Sequence, residues 1–206
     1  MRIAVIGSGI SGLAAAHFLS AEHEVTLFEA ADRLGGHTAT VDVTIDDEQL
    51  AIDTGFIVFN DWTYPNFIEL LDSLGIASQP TDMSFSMSDL QSGLEYAGSS
   101  LNTLFAQRRN LVSPRFLRMV RDILRFNRES EQHLASDPAL EHITLGEYLR
   151  RYRYSREFIN YYLIPMGAAI WSSGDAQMEA FPLAFFIRFF SNHGLLNIRN
   201  RPQWRT

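Results

Sequence analysis

The feature that most constrains this chain is the hexad Gly7-Ser8-Gly9-Ile10-Ser11-Gly12, set between an apolar run and an alanine-rich one. The run Ile3-Ala4-Val5-Ile6 has no polar member, which is how a strand buried on both faces reads. Residues 13–19 carry Ala14, Ala15 and Ala16, strong helix formers small enough to lie close to a sheet. Val25-Thr26-Leu27-Phe28 reads as a second strand. Strand, helix and strand in so short a span make a βαβ unit with parallel strands. Each glycine then has its own task. Gly7 permits the tight turn, Gly9 lets backbone approach a pyrophosphate, and Gly12 lets the helix pack on the strand. The helix N-terminus offers unpaired N–H groups and partial positive charge to an anion. Glu29 ends the second strand 17 residues beyond Gly12, where a carboxylate can accept hydrogen bonds from ribose hydroxyls.

The residues after Glu29 are more specific. Glu29-Ala30-Ala31-Asp32-Arg33-Leu34-Gly35-Gly36-His37 resembles the extended motif of the flavin-containing amine oxidase and phytoene desaturase superfamily. Asp53-Thr54-Gly55-Phe56 resembles the segment of that superfamily that passes close to the isoalloxazine ring. Within it, the chain is most similar to bacterial NAD/FAD-dependent oxidoreductases associated with fatty-acid cyclopropanation. Gly35-Gly36-His37-Thr38, the segment Asp53-Thr54-Gly55-Phe56-Ile57-Val58-Phe59-Asn60, and Ile170-Trp171-Ser172 carry that likeness. Specific motifs are confined to residues 1–60, so the resemblance is to the N-terminal part of such a protein. It implies noncovalent FAD. Gly7, Ser8, Gly9, Ile10, Ser11 and Gly12 would hold phosphate, and Glu29 would hold the ribose, flanked by Ala30 and Arg33. Gly35, Gly36, His37 and Thr38 would approach the cofactor, and Gly55, Phe56, Ile57 and Val58 would lie beside the flavin. His37 stands where the amine oxidases usually have arginine, and neutral imidazole supplies less phosphate charge. A loop histidine touching backbone alone is the other reading of that position.

The chain has no cysteine, so disulfides, thiolate metal sites and a cysteine-tethered flavin are excluded. All 17 basic residues are arginine, which removes lysine Schiff-base chemistry and leaves no residue marked as a catalytic acid or base. A net charge of −7 argues against nucleic acid as a partner. The histidines fall at no metal-ligand spacing, and no Gly-x-Ser-x-Gly occurs. Residues 181–190 are too short to span a bilayer and include Arg188. No secretory signal is visible, and a cytoplasmic location is expected.

The fold class expected is α/β: a Rossmann-like FAD-binding domain, residues 1–75, then a largely helical substrate region, residues 76–206. Residues 40–45 and 50–52 flank Asp46-Asp47 as a hairpin would. Residues 67–74 read as a helix ending at Gly75, and 83–87 and 93–96 as short strands. Beyond Leu101 the pattern turns helical, interrupted by Pro114, Pro138, Pro165 and Pro182. Arg115, Arg118, Arg121, Arg125 and Arg128 recur at helical spacing. They read first as a solvated face and otherwise as a dock for anionic lipid head groups. The phenylalanine-rich stretch 181–190 reads as core or as the lining of an apolar pocket. Trp171, Tyr161 and Tyr162 are candidates to wall such a pocket near the flavin.

The reaction expected is hydride transfer from a substrate C–H bond to flavin, on a small apolar or lipid-like molecule. A flavin-dependent isomerase and a non-catalytic FAD-binding fragment are the alternatives. Two central strands are few for an open dinucleotide-binding sheet, and nothing after Trp171 reads as a returning segment. The chain is therefore expected to be part of a longer one, with an exposed edge that favours self-association. By itself it should bind FAD weakly and not turn over. Titration with FAD, followed by substrate-driven flavin reduction, checks this; tight stoichiometric binding with turnover would contradict it.

Overall fold

A computed structural model describes residues 1–206, which pack as two units, Met1–Val58 with Thr206, and Phe59–Arg205. In the first, β1 (Arg2–Ile6) leads through α1 (Ile10–Leu19) to β2 (Glu24–Phe28). The two strands are parallel, in register from Arg2 opposite Glu24 to Ile6 opposite Phe28, as the pattern predicts. The crossing of helix over strand is close at one point. A Cβ built on Gly12 would lie 1.8 Å from the Gly7 carbonyl oxygen and 3.5 Å from Val5 Cγ1. Next come β3 (Thr40–Ile45) and β4 (Glu48–Asp53), an antiparallel pair. Asp46 and Asp47 join them with φ of 49° and 67°, the two left-handed positions of a tight hairpin turn.

One expectation fails here. The apolar run of β1 does not lie buried on both faces. Ile3, Val5, Val25 and Leu27 are half-buried, while Ala4, Ile6, Thr26 and Phe28 point outward, with Ile6 80% and Phe28 52% exposed. A single helix can cover only one face of a two-stranded sheet, so side chains that alternate along the strands divide into covered and open sets.

The second unit opens with β5 (Phe59–Asn60), α2 (Pro65–Ser73) and β6 (Pro80–Thr81), then the hairpin β7 (Ser86–Asp89) and β8 (Leu94–Ala97). The sequence boundary near residue 75 lies after α2. Packing divides the chain before it, and Phe67 of α2 meets Phe59 edge-on at 5.1 Å. Helices come next: α3 (Leu101–Leu104), a 3₁₀ segment (Arg108–Val112), α4 (Pro114–Ser136), a second 3₁₀ segment (Pro138–His142) and α5 (Leu145–Arg151). Then come α6 (Arg156–Phe158), a π turn (Ile159–Leu163), α7 (Ile164–Trp171), α8 (Asp175–Glu179) and α9 (Leu183–Asn192). Of the prolines that interrupt the sequence pattern, Pro114, Pro138 and Pro182 mark beginnings, while Pro165 lies within the unbroken helical run 156–171. Pro114 is the first residue of α4, behind the N-cap Ser113, and Pro182 caps α9; proline's fixed φ and missing N–H suit both places. Thr144 and Glu147 form a reciprocal capping box at α5.

The core lies in this unit. Fully buried Phe126 meets Tyr148, Tyr154 and Phe186 edge-on and Phe158 at a tilt, arrangements that suit aromatic quadrupoles. Leu183, Phe186, Ile187 and Phe190 of α9 are buried in the same cluster. Trp171 meets Phe186 and Phe190 of this cluster and, on its more open side, Phe181, Phe185 and Phe189. The arginine stripe of α4 is not uniform. Arg125 lies 4.0 Å over the Tyr154 ring and donates to the Tyr152 carbonyl at 3.2 Å. Beside it, buried Asp122 accepts the Ser155 N–H at 2.9 Å. Near the chain end β9 (Trp204–Arg205) pairs antiparallel with β5 and β6, within the second unit, and is the middle strand of their small sheet. No helix is long and apolar enough to cross a membrane.

The Gly12 crossing yields a test. Gly12→Ala is expected to destabilise the chain by about 3 kcal/mol through overpacking against backbone that cannot yield. Gly9→Ala, where a Cβ meets nothing within 4 Å, should cost about 1 kcal/mol or less. Urea unfolding compares the two, and equal losses would contradict the close packing at Gly12.

Candidate functional site

Gly7 ends β1 at φ +90°, a left-handed turn that only glycine enters without strain. Its N–H donates to the Phe28 carbonyl at 2.7 Å, so the ends of β1 and β2 are held together where the chain leaves the sheet. Gly9 is the N-cap of α1 and has no side chain to accept from the first turn. The opening N–H groups of this helix therefore keep their hydrogen-bonding capacity. No acidic side chain occupies the first turn. Ile10 and Ser11 are exposed there, and a Cβ on Gly9 would stand in open space. A helix start that is uncapped, free of acid and open above its glycine suits an anion.

Glu29 sits one residue past β2 and is fully engaged. Its Oε2 accepts the Ser8 N–H at 2.8 Å and the Ser8 hydroxyl at 2.5 Å. Its Oε1 accepts the N–H groups of Ala30 at 2.7 Å and Ala31 at 2.9 Å. Four donors on one carboxylate favour its charged form. The Ala31 N–H, then the Ser8 hydroxyl and the Ser8 N–H, hold the Glu29 pKa down to about 2 from an ordinary 4.5. Ser8 itself is fully buried.

The paired-glycine loop folds back onto this turn. Gly35 bridges to Gly9, and its N–H donates to the Ser8 carbonyl at 3.0 Å. A Cβ on Gly36 would lie 2.9 Å from Gly9 Cα, so the second glycine pair closes against the first. Arg33 donates to the carbonyls of Gly36 at 2.7 Å and Thr38 at 3.1 Å, and the Thr38 hydroxyl donates to the Gly35 carbonyl at 2.6 Å. Gly55 passes against the same loop, where a Cβ would sit 1.9 Å from the His37 carbonyl oxygen. His37, Phe56 and Ile57 are exposed and Val58 is half-buried.

The sequence-predicted residues thus converge. Gly7 to Gly12, Glu29 with Ala30, Gly35 to Thr38 and Gly55 form one continuous backbone assembly. Arg33 spends its guanidinium on the loop's own carbonyls. Two contributions went unread in the sequence: the Ala31 N–H, and the use of the Ser8 side chain on Glu29. A serine between the first two glycines was the available signal for the second.

The NAD(P)-binding Rossmann-like domain family matches residues 5–74. A curated relative, the probable flavin-containing monooxygenase 1 of Arabidopsis thaliana, is 40% identical over 81 residues, covering 35% of this chain and 15% of that protein. Among solved structures, a putrescine oxidase redesigned in its cofactor binding aligns with 99% of this chain and 45% of its own, at a TM-score of 0.53 and 24% identity. A fatty acid isomerase from P. acnes that produces CLA aligns with 71% of this chain and 30% of its own, at 19% identity and a TM-score of 0.42, too slight a likeness to argue from. The chain spans less than half the length of any of these proteins. The fold is α/β, a Rossmann-like β1–α1–β2 unit followed by a largely helical region.

Glu29 titration follows from the geometry. Its folded pKa is lowered, so its contribution to stability is complete above the unfolded value of 4.5 and is lost as pH falls through about 2. Ser8→Ala removes one donor and should move the Glu29 midpoint up toward 4.5, narrowing that acid-sensitive window from below. Carboxyl ¹³C NMR titration reads the midpoint; an unmoved value would show that the Ser8 hydroxyl does not hold the charge.

Proposed function

We propose that these residues are the nucleotide-binding end of an FAD-dependent oxidoreductase. The observation that carries this reading is the pairing of an open, uncapped α1 N-terminus at Gly9 with the Glu29 carboxylate held beside it through Ser8. The α1 N–H groups and the Gly35-Gly36 backbone would hold the pyrophosphate. Glu29, ionised at neutral pH and limited to accepting, would take the ribose hydroxyls and repel a 2′-phosphate. All four of its acceptor positions are engaged, so a ribose diol would exchange with the Ser8 hydroxyl, the donor free to rotate. His37 would add no fixed charge in its neutral form, and Gly55, Phe56, Ile57 and Val58 would border the flavin. When bound, FAD supplies the redox chemistry by accepting a hydride from a substrate C–H bond.

The extended Glu29–His37 motif and the partial likeness to a flavin-containing monooxygenase support FAD over a nicotinamide cofactor. Membership of the flavin-containing amine oxidase and phytoene desaturase superfamily is part of this reading. So is the narrower likeness to oxidoreductases associated with fatty-acid cyclopropanation, which makes an apolar acyl chain the first substrate class to try. The partly open aromatic group of Trp171, Phe181, Phe185 and Phe189 suits such a molecule.

Acid release of the chromophore from the protein should yield free, intact FAD. Gly9→Val should abolish its binding while leaving the fold intact, because the side chain would fill the space above the helix start. Glu29→Ala should weaken binding by about one to two orders of magnitude through loss of a charged hydrogen-bond acceptor. Recovery of NAD alone, or unchanged FAD affinity in both folded variants, would overturn the assignment.

A further inference from the structure

We infer that one end of the second unit, built from the β7–β8 turn, α3, the first 3₁₀ segment and the start of α4, docks on an anionic lipid bilayer surface. Charge points there first. Residues 90–128 contain seven arginines against two carboxylates, Glu95 and Asp122, a net charge of +5 in a chain whose total is −7. Asp122 is buried and draws the half-buried Arg125 toward it, so the two leave the surface count together, and Arg115 and Arg128 stand beside Glu157 and Glu129. Apolar exposure points to the same place. Leu90 is 95% exposed, Val112 81% and Leu101 78%, with Leu111 also open.

Hydrogen bonds hold these segments as one surface. Gln107 and Arg109 both donate to the Gly93 carbonyl at 2.8 Å, tying the 3₁₀ segment to the β7–β8 turn. Arg108 donates to the Phe105 carbonyl at 2.9 Å and to Asn102 Oδ1 at 2.5 Å, tying it to α3. Beyond Val112, α4 continues the pattern on its outer side, where Leu117, Arg121, Leu124 and Arg128 are exposed at helical spacing. They stand opposite buried Met119, Asp122 and Phe126.

The chemistry selects the partner. Aliphatic side chains within a fringe of guanidinium groups suit insertion at the head-group boundary of an anionic membrane. A single-stranded nucleic acid would instead want aromatic stacking platforms, and here Tyr96, Phe105 and Phe116 turn inward.

Sedimentation of the chain with phosphatidylglycerol vesicles, and with phosphatidylcholine vesicles as reference, tests the surface. Partition should favour the anionic vesicles by about tenfold or more at low salt and fall as salt is raised. Leu90→Ser with Val112→Ser should weaken it by about tenfold, and Arg115→Gln with Arg118→Gln by a similar factor, both with unchanged circular dichroism. Four outcomes would overturn the inference. These are no binding to anionic vesicles, equal binding to both kinds, tighter binding of RNA or heparin through the same arginines, and self-association through Leu90 and Val112.

Discussion

The close approach of α1 to β1 at Gly12 is the contact on which the first unit depends. With a Cβ position only 1.8 Å from the Gly7 carbonyl oxygen, no side chain fits, and the helix axis is drawn down onto the strand. That depth fixes where α1 begins, and so where its unpaired N–H groups point. Gly9 then leaves the helix start uncapped, and Gly36 brings the second loop against it. Three glycines separated in sequence make a single backbone surface because each removes an obstacle to the next.

On that surface the fixed negative charge is Glu29, while the Arg33 guanidinium is turned onto the loop's own carbonyls. Its four hydrogen bonds keep it ionised far below neutral pH. A site with backbone donors on one side and a permanent acceptor on the other suits a molecule that carries phosphate and a ribose diol together. The second unit is held by different means. Phe126 and its aromatic neighbours fill the centre, and Asp122 with Arg125 fastens the 152–155 loop to α4. Asp122 is buried and Arg125 half-buried, 3.7 Å apart, and each hydrogen-bonds a backbone group of that loop.

Much of the first unit was legible because its signals are local. The β1–α1–β2 order follows from periodicity and three glycines, and the β3–β4 hairpin from Asp46-Asp47. The open sheet face was not legible, because an apolar run does not reveal how many layers will cover it. Nor was β9, a two-residue strand whose partners, Phe59-Asn60 and Pro80-Thr81, lie more than a hundred residues away. Spacing grouped Arg125 with the arginine stripe, but Tyr154 and the Tyr152 carbonyl come from a segment that spacing cannot see. At the site, motif and spacing brought the glycines and Glu29 together. They assigned Ser8 to phosphate and did not reveal that its hydroxyl meets Glu29, which follows from the parallel register of β1 and β2.

Titration of the ¹⁵N-labelled chain with ADP is the most direct measure of the central claim that these backbone groups form a nucleotide site. Amide shifts should concentrate at Ser8, Gly9, Ile10, Ser11, Gly12, Gly35 and Gly36, with the Glu29 carboxyl resonance moving alongside them. Amide shifts absent from the α1 start, or centred in the helical unit, would contradict it.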